Sequence, residues 1–196
     1  PTRYFLDGEP RSMTSRTVTV PVLGEDGALG EVERTLWFSH LGPVLTLPGM
    51  PWTESIAFAA RDANAANTHL LSQWRAMNLA TDLDTFIEAH RRWNAMPWVN
   101  TMAASADGRA LYLDNSTVGN LSEEAISLWQ ERLASDPRTA NLYAERGMIL
   151  LDGSDSRFAW VDVPGTPVPG TVPFEQRPRL ERRDYIFNAN DSYWLT

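Results

Sequence analysis

The 196-residue chain contains no cysteine and no lysine, since all 17 of its basic residues are arginine. The lack of cysteine excludes disulfides, thiolate nucleophiles and cysteine-based metal sites. The lack of lysine excludes the Gly-x-x-x-x-Gly-Lys-Ser/Thr phosphate loop. A formal net charge of −8 argues against a surface for nucleic acid. No apolar run approaches the ~20 residues of a membrane helix, so neither nucleic acid nor a membrane is an expected partner.

Histidine is also scarce, with only His40, His69 and His90 in the chain. Their wide spacing contains no His-x-x-x-His or His-Glu-x-x-His motif, so a zinc site has little support. No Gly-x-Ser-x-Gly motif marks a serine nucleophile. We therefore predict neither a metal nor a cofactor.

Tryptophan, by contrast, is abundant, with eight residues in this length. A tryptophan-rich core is the simpler interpretation, because large flat side chains supply much apolar contact area. A pocket lined by indoles for a fatty or aromatic group is the functional alternative. The sequence alone leaves both open.

Local patterns predict a first block of strands and then a block of helices. Apolar and polar residues alternate in the first block, and Gly and Asp mark its turn. The predicted strands are 16–22, 31–39, the extended segment 41–45 and 55–60. Apolar spacing predicts a first helix through Leu70, Leu71, Trp74 and Met77. A second helix is predicted over 82–94, with Thr81 as N-cap and with Asp82 and Asp84 at the positive end of the helix dipole. A third helix is predicted after Ser122.

The clearest hairpin joins residues 99–104 to residues 110–114, because Asp107-Gly108 between them is a strong short-turn signal. Five prolines make residues 152–183 an extended connection, and residues 184–187 a final strand. Strands and helices thus come in blocks, which predicts an α+β fold with antiparallel pairing. The chain opens at Pro1 without an initiator methionine, which suggests an excised piece of a longer protein.

The polar run Asn188-Ala189-Asn190-Asp191-Ser192 follows the predicted final strand directly. One interpretation is an Asx-rich turn whose side chains bond local backbone. The other is that a carboxamide at a rigid strand end points into a cleft, where it stabilises a developing oxyanion.

Several motifs in register resemble the penicillin acylase family of N-terminal nucleophile hydrolases, most closely its aculeacin A (echinocandin) and acyl-homoserine lactone acylases. The segments that carry the resemblance are Phe38–Val44, Ala60–Asn64 with Asn67-Thr68 and Gln73-Trp74, Pro97–Ala104 with Asp107–Tyr112, and Asn188–Leu195. They span nearly the whole chain. The resemblance implies an αββα sandwich in which two antiparallel sheets face each other, and residues 1–196 as part of the β-subunit.

The resemblance also implies a mechanism. A serine freed at the start of the β-subunit, outside this chain, would attack a linear amide with its own α-amine as base. Asn190 would be the side-chain oxyanion donor, with Asn188 as the runner-up. Trp98, Val99 and Trp74 would line the acyl pocket.

The expected partners are the α-subunit, the remaining β-subunit segments of the same precursor, and a small acyl-amide substrate. The substrate would be a lipopeptide antibiotic, an acyl-homoserine lactone or a penicillin, and the expected location is secreted or periplasmic. The rival hypothesis is a noncatalytic, tryptophan-rich binding module for an apolar ligand or a glycan.

Overall fold

Nine strands and four α-helices follow from the backbone hydrogen bonds of residues 2–190, the part of the chain that the computed structural model describes. The strands are β1 Arg3–Leu6, β2 Glu9–Ser12, β3 Thr14–Leu23, β4 Leu29–Ser39, β5 Gly42–Leu45, β6 Phe58–Ala59, β7 Asn100–Ala104, β8 Ala110–Asp114 and β9 Arg179–Arg182. The helices are α1 Leu70–Asn78, α2 Leu83–Trp93, α3 Glu123–Ser135 and α4 Pro137–Arg146. All the strand pairs are antiparallel, which confirms the predicted α+β class.

The described chain divides into two compact units. The first runs through residue 62 and adds Glu123–Ala159, and the second comprises Ala63–Ser122 and continues from Trp160. The first unit holds the β1–β2 pair, a sheet of order β3-β4-β5-β6, and helices α3 and α4. The second unit holds α1, α2 and a sheet of order β7-β8-β9.

In the first unit, turn chemistry sets the hairpins. Asp7 and Gly8 both have positive φ, 52° and 83°, between β1 and β2, as a tight two-residue turn requires. The longer β3–β4 hairpin keeps one register along its length, from the pair Thr14 and Phe38 to the pair Leu23 and Leu29. Helix α4 begins with proline after Asp136, whose side chain accepts from the backbone N–H of Arg138 and of Thr139. Neither the hairpin β1–β2 nor helix α4 was predicted from the sequence.

In the second unit, the sheet packs one face against α2. Strand β8 alternates, so that Leu111 and Leu113 point to the same side, and both are at most 1% exposed. They form a core with residues from α2 and from a 3₁₀ turn, Phe174–Gln176: Leu83, Ile87 and Phe174. With this core beneath it, the central strand β8 is the most buried strand of the sheet.

Two local predictions were wrong. The N-cap of α2 is Asp82 rather than Thr81, because the Asp82 carboxylate accepts from the backbone N of Thr85 at 2.7 Å in a reciprocal capping box. The last strand is Arg179–Arg182, inside the predicted connection, and residues 184–187 are not a strand. Strand β9 stops there because Arg182 pairs with Ala110, the first residue of β8, so later residues have no partner strand.

None of the helices within residues 2–190 combines the length and the apolar character that a bilayer crossing requires. Pro1 and the second part of the polar run, Asp191-Ser192, lie outside the described residues. So does the end of the Asn188–Leu195 motif.

Candidate functional site

Two polar side chains share the face of the second unit's sheet that is turned away from the leucine core. Asn100 is the first residue of β7 and pairs with Asp114, and Tyr112 pairs with Met102. Paired residues, and residues two apart on one strand, lie on the same face. Asn100 and Tyr112 are therefore diagonal neighbours on that face.

These two side chains join Asn188 in a closed ring of hydrogen bonds, called the amide ring below. The Tyr112 hydroxyl donates to Asn100 Oδ1 at 2.9 Å, and Asn100 Nδ2 donates to Asn188 Oδ1 at 3.1 Å. Asn188 Nδ2 completes the ring by donating to the Tyr112 hydroxyl oxygen at 3.4 Å. Tyr112 is only 5% exposed, and the two asparagines are half-buried. The ring therefore attaches the segment around Asn188 to the sheet.

The amide ring also determines the backbone at Asn190. The Asn188 Oδ1 atom accepts a second hydrogen bond from the Asn190 backbone N at 2.6 Å, which makes an Asx turn. Asn190 itself has a left-handed φ of 69°, which asparagine tolerates better than most residues. The residue is exposed. The Asx-turn interpretation thus describes the side chain of Asn188, and Asn190 lies at the exposed end of the turn.

Trp98 and Val99 directly precede β7, whose first residue is hydrogen-bonded to Asn188. Trp98 is 79% exposed and Val99 is 37% exposed. Asn100, the next residue, donates to Asn188. The structure therefore brings the Asn188–Asn190 segment to the strand that begins just after Trp98-Val99.

Trp74 lies on α1 and is 53% exposed, so it is not part of the core. The neighbouring residue Gln73 is fully buried, and its Oε1 accepts from the backbone N of Ala95 at 2.6 Å. Asn67 Nδ2 donates to the carbonyl oxygen of the same Ala95 at 2.8 Å. The helix is thereby attached to the segment that leads to Trp98. Within residues 2–190 no aromatic ring contact pairs Trp74 with Trp98.

Two buried basic side chains, Arg177 and His90, contact backbone carbonyl groups of the second unit. These contacts were not predicted from the sequence. The Arg177 guanidinium donates to the Asn115 carbonyl at 2.6 Å and to the Val172 carbonyl at 3.0 Å, and burial lowers its pKa to about 10. His90 is fully buried on α2, its Nδ1 lies 3.0 Å from the Phe86 carbonyl oxygen, and burial lowers its pKa. For Arg177, the only sequence signal was its place directly before Pro178 in the predicted extended connection.

A metal site does not emerge from the described part of the chain. No group of three or more His, Asp or Glu side chains in residues 2–190 is placed to hold an ion. The functional interpretation therefore rests on the amide ring, Asn190 and the exposed indoles.

The comparison with known proteins defines the class. The penicillin amidase family model matches residues 1–195, and the chain belongs to that family. The described fold agrees with this: a thermostable penicillin G acylase from Alcaligenes faecalis superposes with a TM-score of 0.57 at 15% identity, over 98% of this chain and 31% of that one.

Individual relatives are much more similar in sequence. Acyl-homoserine lactone acylase PvdQ of Pseudomonas fluorescens is 39% identical over 196 residues, which make up 100% of this chain and 24% of that protein. Aculeacin-A acylase of Actinoplanes utahensis is 38% identical over 197 residues, with 100% and 24% covered. The chain thus spans about a quarter of the length of these curated relatives. Both proteins are the kinds of acylase that the sequence motifs resembled.

Proposed function

We propose that this chain supplies the side-chain oxyanion donor and part of the acyl pocket of a linear-amide hydrolase. The observation that carries the proposal is the Asx turn at the amide ring. It holds the carboxamide of Asn188 against the sheet and leaves the next asparagine, Asn190, exposed beside the strand that follows Trp98-Val99. Of the two candidate asparagines, the geometry therefore favours Asn190 as the donor.

The chemistry needs such a donor. A serine at the start of the β-subunit, outside residues 1–196, bonds through its hydroxyl oxygen to the amide carbon while its proton passes to its own α-amine. An α-amine titrates near ~8, so it serves as a base around neutral pH without a histidine partner. The carbonyl oxygen gains negative charge and accepts from Asn190 Nδ2. The tetrahedral intermediate then collapses: its C–N bond breaks, and the leaving amine takes the proton that the α-amine had accepted. The acyl group remains on the serine as an ester, which water then hydrolyses.

The pocket assignment rests on exposed apolar surface in the same compact unit as this donor. Trp98 and Trp74 offer indoles that are 79% and 53% exposed, and Val99 adds an exposed aliphatic group. Burial of an acyl chain contributes about 0.8 kcal/mol per CH₂, so these surfaces suit a fatty acyl group. None of the three is needed for the leucine core.

The substrate class follows from the relatives' names. We propose an acyl amide such as an acyl-homoserine lactone or an echinocandin-type lipopeptide, with penicillin as a third candidate. We further propose that the protein acts in a secreted or periplasmic location, as a heterodimer of an α-subunit and a β-subunit cut from one precursor. The comparisons lend no support to the noncatalytic binding module.

The test is hydrolysis by the full-length protein that contains this chain, with wild type compared to Asn190→Ala and Asn190→Gly. Loss of one oxyanion donor typically lowers kcat by roughly 10²–10³. Glycine removes the side chain without strain at the left-handed φ of 69°, whereas alanine adds that strain. We expect both variants to lose activity alike. Undiminished hydrolysis by Asn190→Gly would show that the assigned role is wrong.

A further inference from the structure

The segment that carries Asn190 is held to its sheet by side chains. Strand β9 ends at Arg182, and within residues 2–190 no backbone–backbone hydrogen bond ties residues 184–190 to another element. Tyr185 and Phe187 are 63% and 72% exposed, so apolar packing does little to fix the segment. Something else must define where Asn190 lies.

The amide ring provides that attachment. Its two anchors, Asn100 and Tyr112, lie on the paired strands β7 and β8, and Tyr112 is buried in the central strand. The third member, Asn188, bonds to both anchors and also accepts from the Asn190 backbone N. A continuous chain of hydrogen bonds thus runs from the middle of the sheet to the backbone of Asn190.

Within the ring, each member donates one hydrogen bond to one neighbour and accepts one from the other, so the members fix each other's orientation. If the Asn188 carboxamide turned over, its NH₂ group would meet both the Asn100 NH₂ group and the Asn190 N–H. Three bonds that involve Asn188 would then be lost or weakened together. In a partly buried site such linked bonds also polarise one another.

We infer that Asn100, Tyr112 and Asn188 are positioning residues, whose ring fixes the Asx turn and so aims the carboxamide of Asn190 at the oxyanion. This inference rests on the proposed role of Asn190. An oxyanion donor works through preorganisation, and a displacement of about 1 Å at a catalytic site costs up to ~10²-fold in rate. Loosening the ring is therefore expected to lower kcat, because it displaces the carboxamide of Asn190 that makes the proposed contact with the oxyanion.

The experiment is a double-mutant cycle in the full-length protein with a long-chain acyl-homoserine lactone as substrate. Tyr112→Phe removes one hydroxyl and keeps the buried aromatic ring in place. We expect kcat to fall about ten- to a hundredfold with KM unchanged. In the Asn190→Gly background the same change is expected to have no further effect, because the group that the ring positions is gone.

Two further variants keep the test sharp. Asn188 is itself half-buried but lies in an irregular, mostly exposed segment, so Asn188→Ala breaks the ring with little risk to folding. It is expected to behave as Tyr112→Phe does. The matched control is Tyr143→Phe on α4, whose half-buried ring packs against Trp129. This control is expected to leave kcat unchanged.

The outcomes separate the two proposals. If Asn190→Gly loses activity while Tyr112→Phe and Asn188→Ala keep the wild-type kcat, the positioning role is wrong and the donor stands. Equal losses from Tyr112→Phe in both backgrounds also overturn the positioning role, since they indicate a general structural effect. If Asn190→Gly is fully active, the proposed function fails and this inference fails with it.

Discussion

Gln73 on α1 receives the backbone N–H of Ala95 at 2.6 Å, and both residues are fully buried. This single bond connects the helix that carries Trp74 to the segment that leads into Trp98 and β7. It joins residues that are 22 positions apart. A polar side chain thus holds a position that the helical pattern would have given to an apolar residue.

Gln73→Leu is expected to destabilise the protein, because it leaves the buried N–H of Ala95 without an acceptor. An unsatisfied buried group costs about 1–3 kcal/mol in free energy of unfolding. Chemical denaturation measures this directly. Gln130→Leu on the exposed side of α3 is the matched control and is expected to shift the free energy by less than ~0.5 kcal/mol. Equal effects of the two changes would contradict the assigned bond.

Trp98→Ala is expected to weaken the dependence of kcat/KM on acyl-chain length. The indole is 79% exposed, so its removal leaves the core intact while it takes apolar surface from the proposed pocket. Hydrolysis of homoserine lactones with progressively longer acyl chains gives the slope, in which each buried CH₂ contributes ~0.8 kcal/mol. Parallel slopes for wild type and variant would place the acyl chain elsewhere.

Stability is expected to fall as pH drops below about 6.5, and His90 is expected to be a main cause. Burial lowers its pKa from the ordinary value of 6.5, so below that pH the unfolded chain binds more protons than the folded one. Above it both states are neutral at this residue, and the contribution no longer changes with pH. Denaturation at several pH values between about 5 and 8 measures the slope.

His90→Gln is expected to flatten this slope in part, because His40, whose pKa burial also lowers, retains a share. Gln130→Leu, which replaces an exposed residue and changes no titratable group, is the control and is expected to leave the slope unchanged. An unaltered slope in His90→Gln would assign the acid sensitivity to other groups.

Gly119→Ala is expected to destabilise the second unit by overpacking. A Cβ at this position would lie 2.2 Å from Trp160 Cε2 and 2.5 Å from its Nε1, so the indole must move. Such overpacking typically costs about 1–3 kcal/mol. At Gly30 on β4 the nearest atom to an added Cβ is 3.9 Å away, so Gly30→Ala serves as the tolerated counterpart. Thermal unfolding of both variants compares them.

Some elements could be predicted from local sequence because local physics decides them. The hairpin β7–β8 follows from the Asp107-Gly108 turn, and α2 follows from the acidic and capping residues at its start. Signals of the same kind mark two elements that were not predicted: Asp7-Gly8 forms the turn between β1 and β2, and Asp136-Pro137 begins helix α4.

Other features depend on tertiary register, which no local pattern contains. Residues 184–187 have the composition of a strand, but β8 offers no partner beyond Ala110. Strand β9, which is exposed along its length, has charged residues at three of its four positions, a pattern typical of an edge strand. For the site, the sequence singled out Asn190, Trp98, Val99 and Trp74. It gave no indication that Asn188 bonds to Tyr112, because that contact joins residues 76 positions apart.

The Tyr112 hydroxyl proton is committed to Asn100 Oδ1 inside the amide ring, on a side chain that is 5% exposed. We expect solvent to exchange that proton when the ring opens. Its rate of hydrogen exchange therefore reports how often the segment around Asn188 leaves the sheet. The exchange rate of one tyrosine proton would thus measure how persistently the ring holds the segment around Asn188 on the sheet.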